Sequence, residues 1–298
     1  MSLKRLFWGV GLPALLLVGL CLSWVFGSFA VKPERVTAVS FGPTAQPVRL
    51  VASDGVTLSA SFLPGSVPGA PGILFLHGVK SSRNQFLSQA KWLNSRGYAI
   101  LAIDFRGHGE SQQVDRSFGY LESRDAHAAF DWLQKHQHGA PIGVIGTSLG
   151  GAAALLGADG PLPAEALVLE AVYPDMDRAI GNRIAAYAGR AAAALGTPFL
   201  SYQSILRFGC WPSDISPIAA LPRYHGSLLV IGGGNDRYTP PEETRAMFAA
   251  ARTRKQLWII PVYGHGQVGT DGRAYRAVLG RFLDRALPVR SASAKRTH

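Results

Sequence analysis

The sequence predicts an α/β fold with a largely parallel sheet, on two observations. From Val36 onward, short apolar runs alternate with longer helix-like segments, which is the pattern of βαβ units. Some of those runs, such as Gly72–His77, are apolar throughout, as strands buried on both faces are. The chain has 298 residues, 47% hydrophobic and 16% charged. That is enough to bury a full core, and it excludes intrinsic disorder over most of the length.

The N-terminus carries a separate signal. Lys4 and Arg5 precede Leu6–Ala30, a run of 25 residues without a charge, where a bilayer core needs about 20. The expectation is an uncleaved transmembrane helix over residues 1–30, rather than a buried core helix. The basic flank sets the N-terminus in the cytoplasm and the globular part outside a bacterial inner membrane, although Lys32 and Arg35 on the far side oppose this. Ser28-Phe29-Ala30 is an acceptable small-x-small cleavage site, so a removed signal peptide and a secreted or periplasmic product is the alternative. Leu20 before Cys21 argues against a lipoprotein site, and Cys210 alone cannot form an intrachain disulfide.

The globular part, 36–287, reads in order as follows. Strands are expected at Val36–Phe41, Val48–Val51 and Thr57–Leu63, with a hairpin-type turn at Ser53-Asp54-Gly55. Gly72–His77 is followed by a helix near Asn84–Arg96 and a strand at Tyr98–Asp104. A helix at Glu122–His136 leads to the strand Pro141–Gly146 and a small-residue helix ending near Leu156. After the strand Ala166–Ala171 the rhythm breaks. The stretch 173–221 holds an Ala-rich helix around Ala179–Leu195 and reads as a cap, since connections of that length are usually functional. The pattern resumes with Ser227–Gly233, a helix at Pro241–Ala251, the strand Gln256–Pro261 and a helix at Gly272–Leu287. The basic tail 288–298 reads as disordered.

Gly146-Thr147-Ser148-Leu149-Gly150 sits between an apolar strand and a helix. A sharp strand-to-helix turn needs small residues around the serine and lifts its hydroxyl above the sheet edge, which makes Ser148 a candidate nucleophile. A Gly-rich phosphate loop is the rival, but Gly-x-x-x-x-Gly-Lys is absent. A serine hydroxyl needs a base, and a base needs an orienting acid. Of the eight histidines, His265 lies between two glycines just beyond the last strand. His127, His136 and His138 fall in or beside a helix, His225 precedes a strand and His298 ends the chain. Asp236 closes the strand Ser227–Gly233 and opens a loop, and the order Ser148, Asp236, His265 is that of nucleophile, acid and base in α/β hydrolases. Glu170 and Asp175, after the preceding strand, are rival acids. For the developing oxyanion the candidate donors are the main-chain N–H groups of Val79 and Leu149, with His77 shaping the loop.

Together, Leu76-His77-Gly78, Asp104–Ser111, Gly-Thr-Ser-Leu-Gly-Gly, the Asp236 loop and Gly264-His265-Gly266 resemble the α/β-hydrolase superfamily, in particular its serine aminopeptidase-like and Bem46-like branch. The resemblance covers roughly Val48 to Leu287. It implies an α/β-hydrolase fold: an eight-stranded, mostly parallel sheet with helices on both faces, the triad at its C-terminal edge and a small cap. Asp104–Ser111 would shape the wall of the site, with Arg106 and His108 structural.

The expected function is a serine hydrolase that cleaves an ester, thioester or amide through an acyl-enzyme on Ser148, with a carboxylic ester of an apolar acyl group favoured. It needs no metal or other cofactor. A triad-dependent acyltransferase and a non-catalytic binding protein of the same fold are the alternatives; dehalogenase chemistry is disfavoured because the nucleophile position holds a serine. The expected partners are a small-molecule or lipid acyl substrate and, through the N-terminal helix, a membrane. Lys and Arg number 30 against 19 Asp and Glu, a net charge of +11, yet they form no basic stripe interleaved with aromatics, so nucleic acid is not expected. The oligomeric state is left open.

Overall fold

The computed structural model describes residue 8, residues 11–270 and residues 272–289. Eight strands form one sheet: β1 (Gln46–Val51), β2 (Thr57–Leu63), β3 (Gly72–Leu76), β4 (Ala99–Ile103), β5 (Ile142–Thr147), β6 (Ala166–Glu170), β7 (Ser227–Gly233) and β8 (Lys255–Ile260). Their spatial order is β1-β2-β4-β3-β5-β6-β7-β8. β2 runs antiparallel to both β1 and β4, and the remaining pairs are parallel. The β1–β2 hairpin turns at Gly55, whose φ of 83° is left-handed.

The helices are α1 (Leu12–Val31), α2 (Leu87–Ser95), α3 (Glu122–His136), α4 (Leu149–Ala153), α5 (Met176–Ser201), α6 (Gln203–Phe208), α7 (Pro217–Ala220), α8 (Pro241–Ala250) and α9 (Arg273–Ala286). Because strand side chains alternate, β3 feeds two cores: Leu74 and Leu76 join one face, Ile73 and Phe75 the other. The first face is covered by α3, which presents Ala126, Ala129, Phe130 and Leu133 at helical spacing, and the second by α2 and α9. Glu122 and Asp125 at the start of α3, with Lys135 and His136 at its end, also suit the helix dipole. The chain passes from β3 to β4 on one side and then to β5 on the other. This reversal opens a crevice at the carboxyl ends of β3 and β5, where open α/β sheets place their ligands.

The insertion forms a helical hairpin. α5 breaks at Gly189, with φ 85° and ψ 169°, and its halves pack so closely that a Cβ on Gly181 would lie 3.2 Å from Thr197 Oγ1, and one on Gly196 3.3 Å from Ile184 Cδ1.

One expectation is corrected. Val36–Phe41 forms no strand: the Ala38 and Val39 amides donate to the side chains of Glu110 and Asn84, at 3.1 and 2.9 Å, instead of to a neighbouring strand. The expected transmembrane span finds no support in the described residues. Among the described residues no helix is long and apolar enough to cross a membrane. The second half of α1 lies on the protein: Ser23 Oγ accepts from Gln203 Nε2 at 2.6 Å, Arg207 donates to Trp24 O and Ser28 Oγ, both at 2.9 Å, and Arg116 N donates to Val31 O at 3.0 Å. Residues 1–7, 9 and 10, with the start of the expected span, and 290–298, with most of the basic tail, lie outside the described residues.

Candidate active site

Ser148 stands where β5 turns into α4. Its φ of 49° and ψ of −110° lie in a region that non-glycine residues rarely occupy, and such strain is held only where the surroundings enforce it. The enforcement is steric. A Cβ on Gly150 would lie 2.0 Å from Leu76 O, and one on Gly146 2.6 Å from Gly151 N, so the turn admits no larger residue at either motif glycine. Ser148 Oγ is buried and has no hydrogen-bond partner among the described residues, which leaves it available to an incoming group.

Asp236 follows β7 in a turn that its own side chain organises. Oδ1 accepts from Tyr238 N at 2.8 Å and Thr239 N at 2.9 Å, while Oδ2 faces His265 Nδ1 at 2.8 Å. An ionised carboxylate only accepts, so Nδ1 carries the ring proton and Nε2 keeps a free lone pair. His265 sits in a short 3₁₀ turn after β8, its ring edge against Tyr238. Ser148 and His265 line one open pocket of about 980 Å³, along with Val79, Phe118, Arg183 and Tyr238. Ser148, Asp236 and His265, far apart in sequence, thus converge on one crevice.

The predicted donor loop lies beside the serine: a Cβ on Gly78 would be 3.9 Å from Ser148 Cβ. Val79 lines the pocket, and Leu149 is the first residue of α4, so its N–H has no intrahelical acceptor. His77 shapes this loop. Its Nε2 accepts from Phe105 N at 3.1 Å, so Nδ1 must be the donor to Gly78 O at 2.7 Å. Burial of this neutral ring pushes its pKa down to about 4.

The rival acids serve elsewhere. Glu170 is fully buried, accepts from Thr147 Oγ1 at 2.7 Å and Tyr275 OH at 2.6 Å, and has its pKa raised by burial. Asp175 caps α5 by accepting from Arg178 N at 2.8 Å. Arg106 is buried against Asp125 and Asp54, with Nη contacts of 2.6 Å to each, and His108 packs on His77 at 4.9 Å between ring centroids. Burial alone would raise the Asp54 pKa, but Arg106 and Arg124 outweigh it and hold the carboxyl down to about 2.

Sequence reasoning missed several residues. Gln85 ties the donor loop to the nucleophile strand, accepting from Gly78 N at 3.2 Å and donating to Thr147 Oγ1 at 3.0 Å. Phe118, Arg183 and Tyr187 reach the pocket from a turn and from the cap. Tyr238 alone offered a local signal, standing two residues after Asp236. Among the described residues, no cluster of His, Cys, Asp and Glu is suited to hold a metal ion.

Residues 71–203 match the family described as serine aminopeptidase, S33. The chain is similar to an uncharacterized protein of Mycobacterium tuberculosis, 29% identical with 95% of this chain and 97% of that protein covered. It is also similar to YqkD of Bacillus subtilis, 27% identical over 71% of this chain and 70% of that protein. Among solved structures, a Pyrococcus furiosus esterase superposes with a TM-score of 0.69 at 22% identity, covering 87% of this chain and 98% of that one. That likeness shows the α/β-hydrolase fold.

Proposed function

We propose that this chain is a serine hydrolase of the α/β-hydrolase superfamily, acting on carboxylic esters with an apolar acyl group. The observation that carries the reading is the 2.8 Å Asp236–His265 contact in the pocket that holds the strained Ser148. Ser148 Oγ attacks the acyl carbon as His265 Nε2 takes its proton, Asp236 stabilises the imidazolium, and the Val79 and Leu149 amides receive the oxyanion. The alkoxide leaves with the proton from His265. Water, deprotonated by the same ring, then releases the acid and restores the serine. Hydrolysis of p-nitrophenyl butyrate by wild type and Ser148→Ala tests this. The variant should lose about 10⁶ in kcat, and activity within a hundredfold of wild type would overturn the assignment.

Membrane contact is part of the reading, as surface seating rather than a span. Leu16, Leu17, Leu20, Val25, Phe26 and Phe29 of α1 are exposed, and so are Leu195, Leu206 and Trp211 in and just after the cap. So much exposed apolar surface supports a lipid partner. The chain should sediment with anionic vesicles, and recovery in the supernatant alone would contradict it.

A further inference from the structure

Beside the catalytic pocket lies a second, narrow cavity of about 60 Å³, between α1 and the cap hairpin. Its surface is mostly apolar, with Gly27 and Ala30 of α1, Ile180 and Leu200 of α5 and Phe208 of α6, and Gln203, Ser204 and Arg207 of α6 also line it. Ala30 and Phe118 line both spaces, so the two adjoin at these residues. Phe118 is held there firmly. Its φ of 57° is left-handed, and the turn around it is clamped by buried Glu122, which accepts from Ser117 N at 2.9 Å, Ser117 Oγ at 2.6 Å and Gly119 N at 2.8 Å. Tyr173 OH donates to Phe118 O at 2.6 Å. Backbone strain sustained by a buried carboxylate thus places an aromatic residue where the two cavities adjoin.

We propose that this cavity is the distal subsite for the substrate's unbranched acyl chain, and that α1 forms its outer wall, which makes the N-terminal helix part of the substrate-binding site. The inference rests on Ser148 being the nucleophile and adds what sets acyl length. A narrow, apolar space that adjoins the nucleophile's pocket accepts methylenes and excludes charged or branched groups. The helix is fastened in the position such a wall requires, because Arg116 holds the Ala30 and Val31 carbonyls, at 3.3 and 3.0 Å, and Arg207 stacks 3.8 Å from the Trp24 ring.

The test uses the full chain and the p-nitrophenyl esters of butyrate and laurate. Ala30→Trp in α1 and Ile180→Trp in the cap each fill the cavity, whereas Phe118→Ala widens the junction. Each methylene kept in water costs about fourfold in binding, so excluding three should lower the laurate-to-butyrate ratio of kcat/KM roughly fiftyfold in the tryptophan variants. Phe118→Ala should raise the same ratio. Opposite signs separate a filled channel from a damaged fold, which would depress both esters together. A ratio within twofold of wild type in all three variants overturns the proposal. Laurate binding to Ser148→Ala, read by calorimetry, separates the two readings. Binding that Ala30→Trp weakens at least tenfold in that background supports the subsite even if Ser148→Ala still hydrolyses esters, and binding that Ala30→Trp leaves unchanged contradicts it.

Discussion

Replacing Asp236 by asparagine probes the charge relation at the centre of the site without altering its shape. In the wild type, Tyr238 N and Thr239 N donate to Oδ1 at 2.8 and 2.9 Å, and His265 Nδ1 donates to Oδ2 at 2.8 Å. In Asp236→Asn the two main-chain donors fix the amide oxygen at the Oδ1 position, because a flipped amide would set its NH2 against two N–H groups. The amide nitrogen then faces His265 and donates, so Nδ1 must accept. The neutral ring therefore carries its proton on Nε2, the atom that has to take the Ser148 proton. Holding the base in the wrong tautomer costs about 10⁴ in kcat in serine proteases that use the same trio, or about 5 kcal/mol of transition-state stabilisation. The swap is isosteric, so the fold should persist. Initial rates on p-nitrophenyl butyrate, with thermal unfolding measured alongside, provide the assay. A rate within tenfold of wild type at an unchanged Tm would refute Asp236 as the orienting acid.

Other perturbations follow from the same contacts. Gly150→Ala sets a methyl group 2.0 Å from Leu76 O, a main-chain atom that cannot step aside. It should cost at least about 3 kcal/mol in urea unfolding; a loss below 1 kcal/mol would contradict the steric account of the motif glycine. His77 is buried with its pKa lowered from 6.5 to about 4. The unfolded chain therefore binds its proton first, and the stability that neutral His77 contributes is full above pH 6.5 and lost as pH falls toward 4. Relative to His77→Gln, the wild type should lose about 3 kcal/mol between pH 7 and 4; parallel stability curves would exclude this.

What could be read in advance was whatever local chemistry dictates. The apolar runs of β3 to β7 are legible because a strand buried on both faces needs no alternation. Ser148, Asp236 and His265 are legible because each ends or follows a strand with small residues beside it. Val36–Phe41 misled because its apolar pattern is genuine, while its amides are met by Glu110 and Asn84, 72 and 45 residues away in sequence. The N-terminal run does form a helix, and Gln203, Arg207 and Arg116 draw its end onto the domain. Hydropathy cannot reveal a docking contact made by a residue some 180 positions later. Phe118, Gln85 and Arg183 stayed hidden for the same reason, since their roles arise from tertiary neighbours.

The central claim is that Ser148 is the nucleophile of this pocket, and covalent capture tests it most directly. Intact-mass analysis after treatment with a fluorophosphonate should show a single adduct on the wild type, mapped by peptide sequencing to Ser148, and none on Ser148→Ala. An adduct on another residue, or equal labelling of the two proteins, would contradict the account.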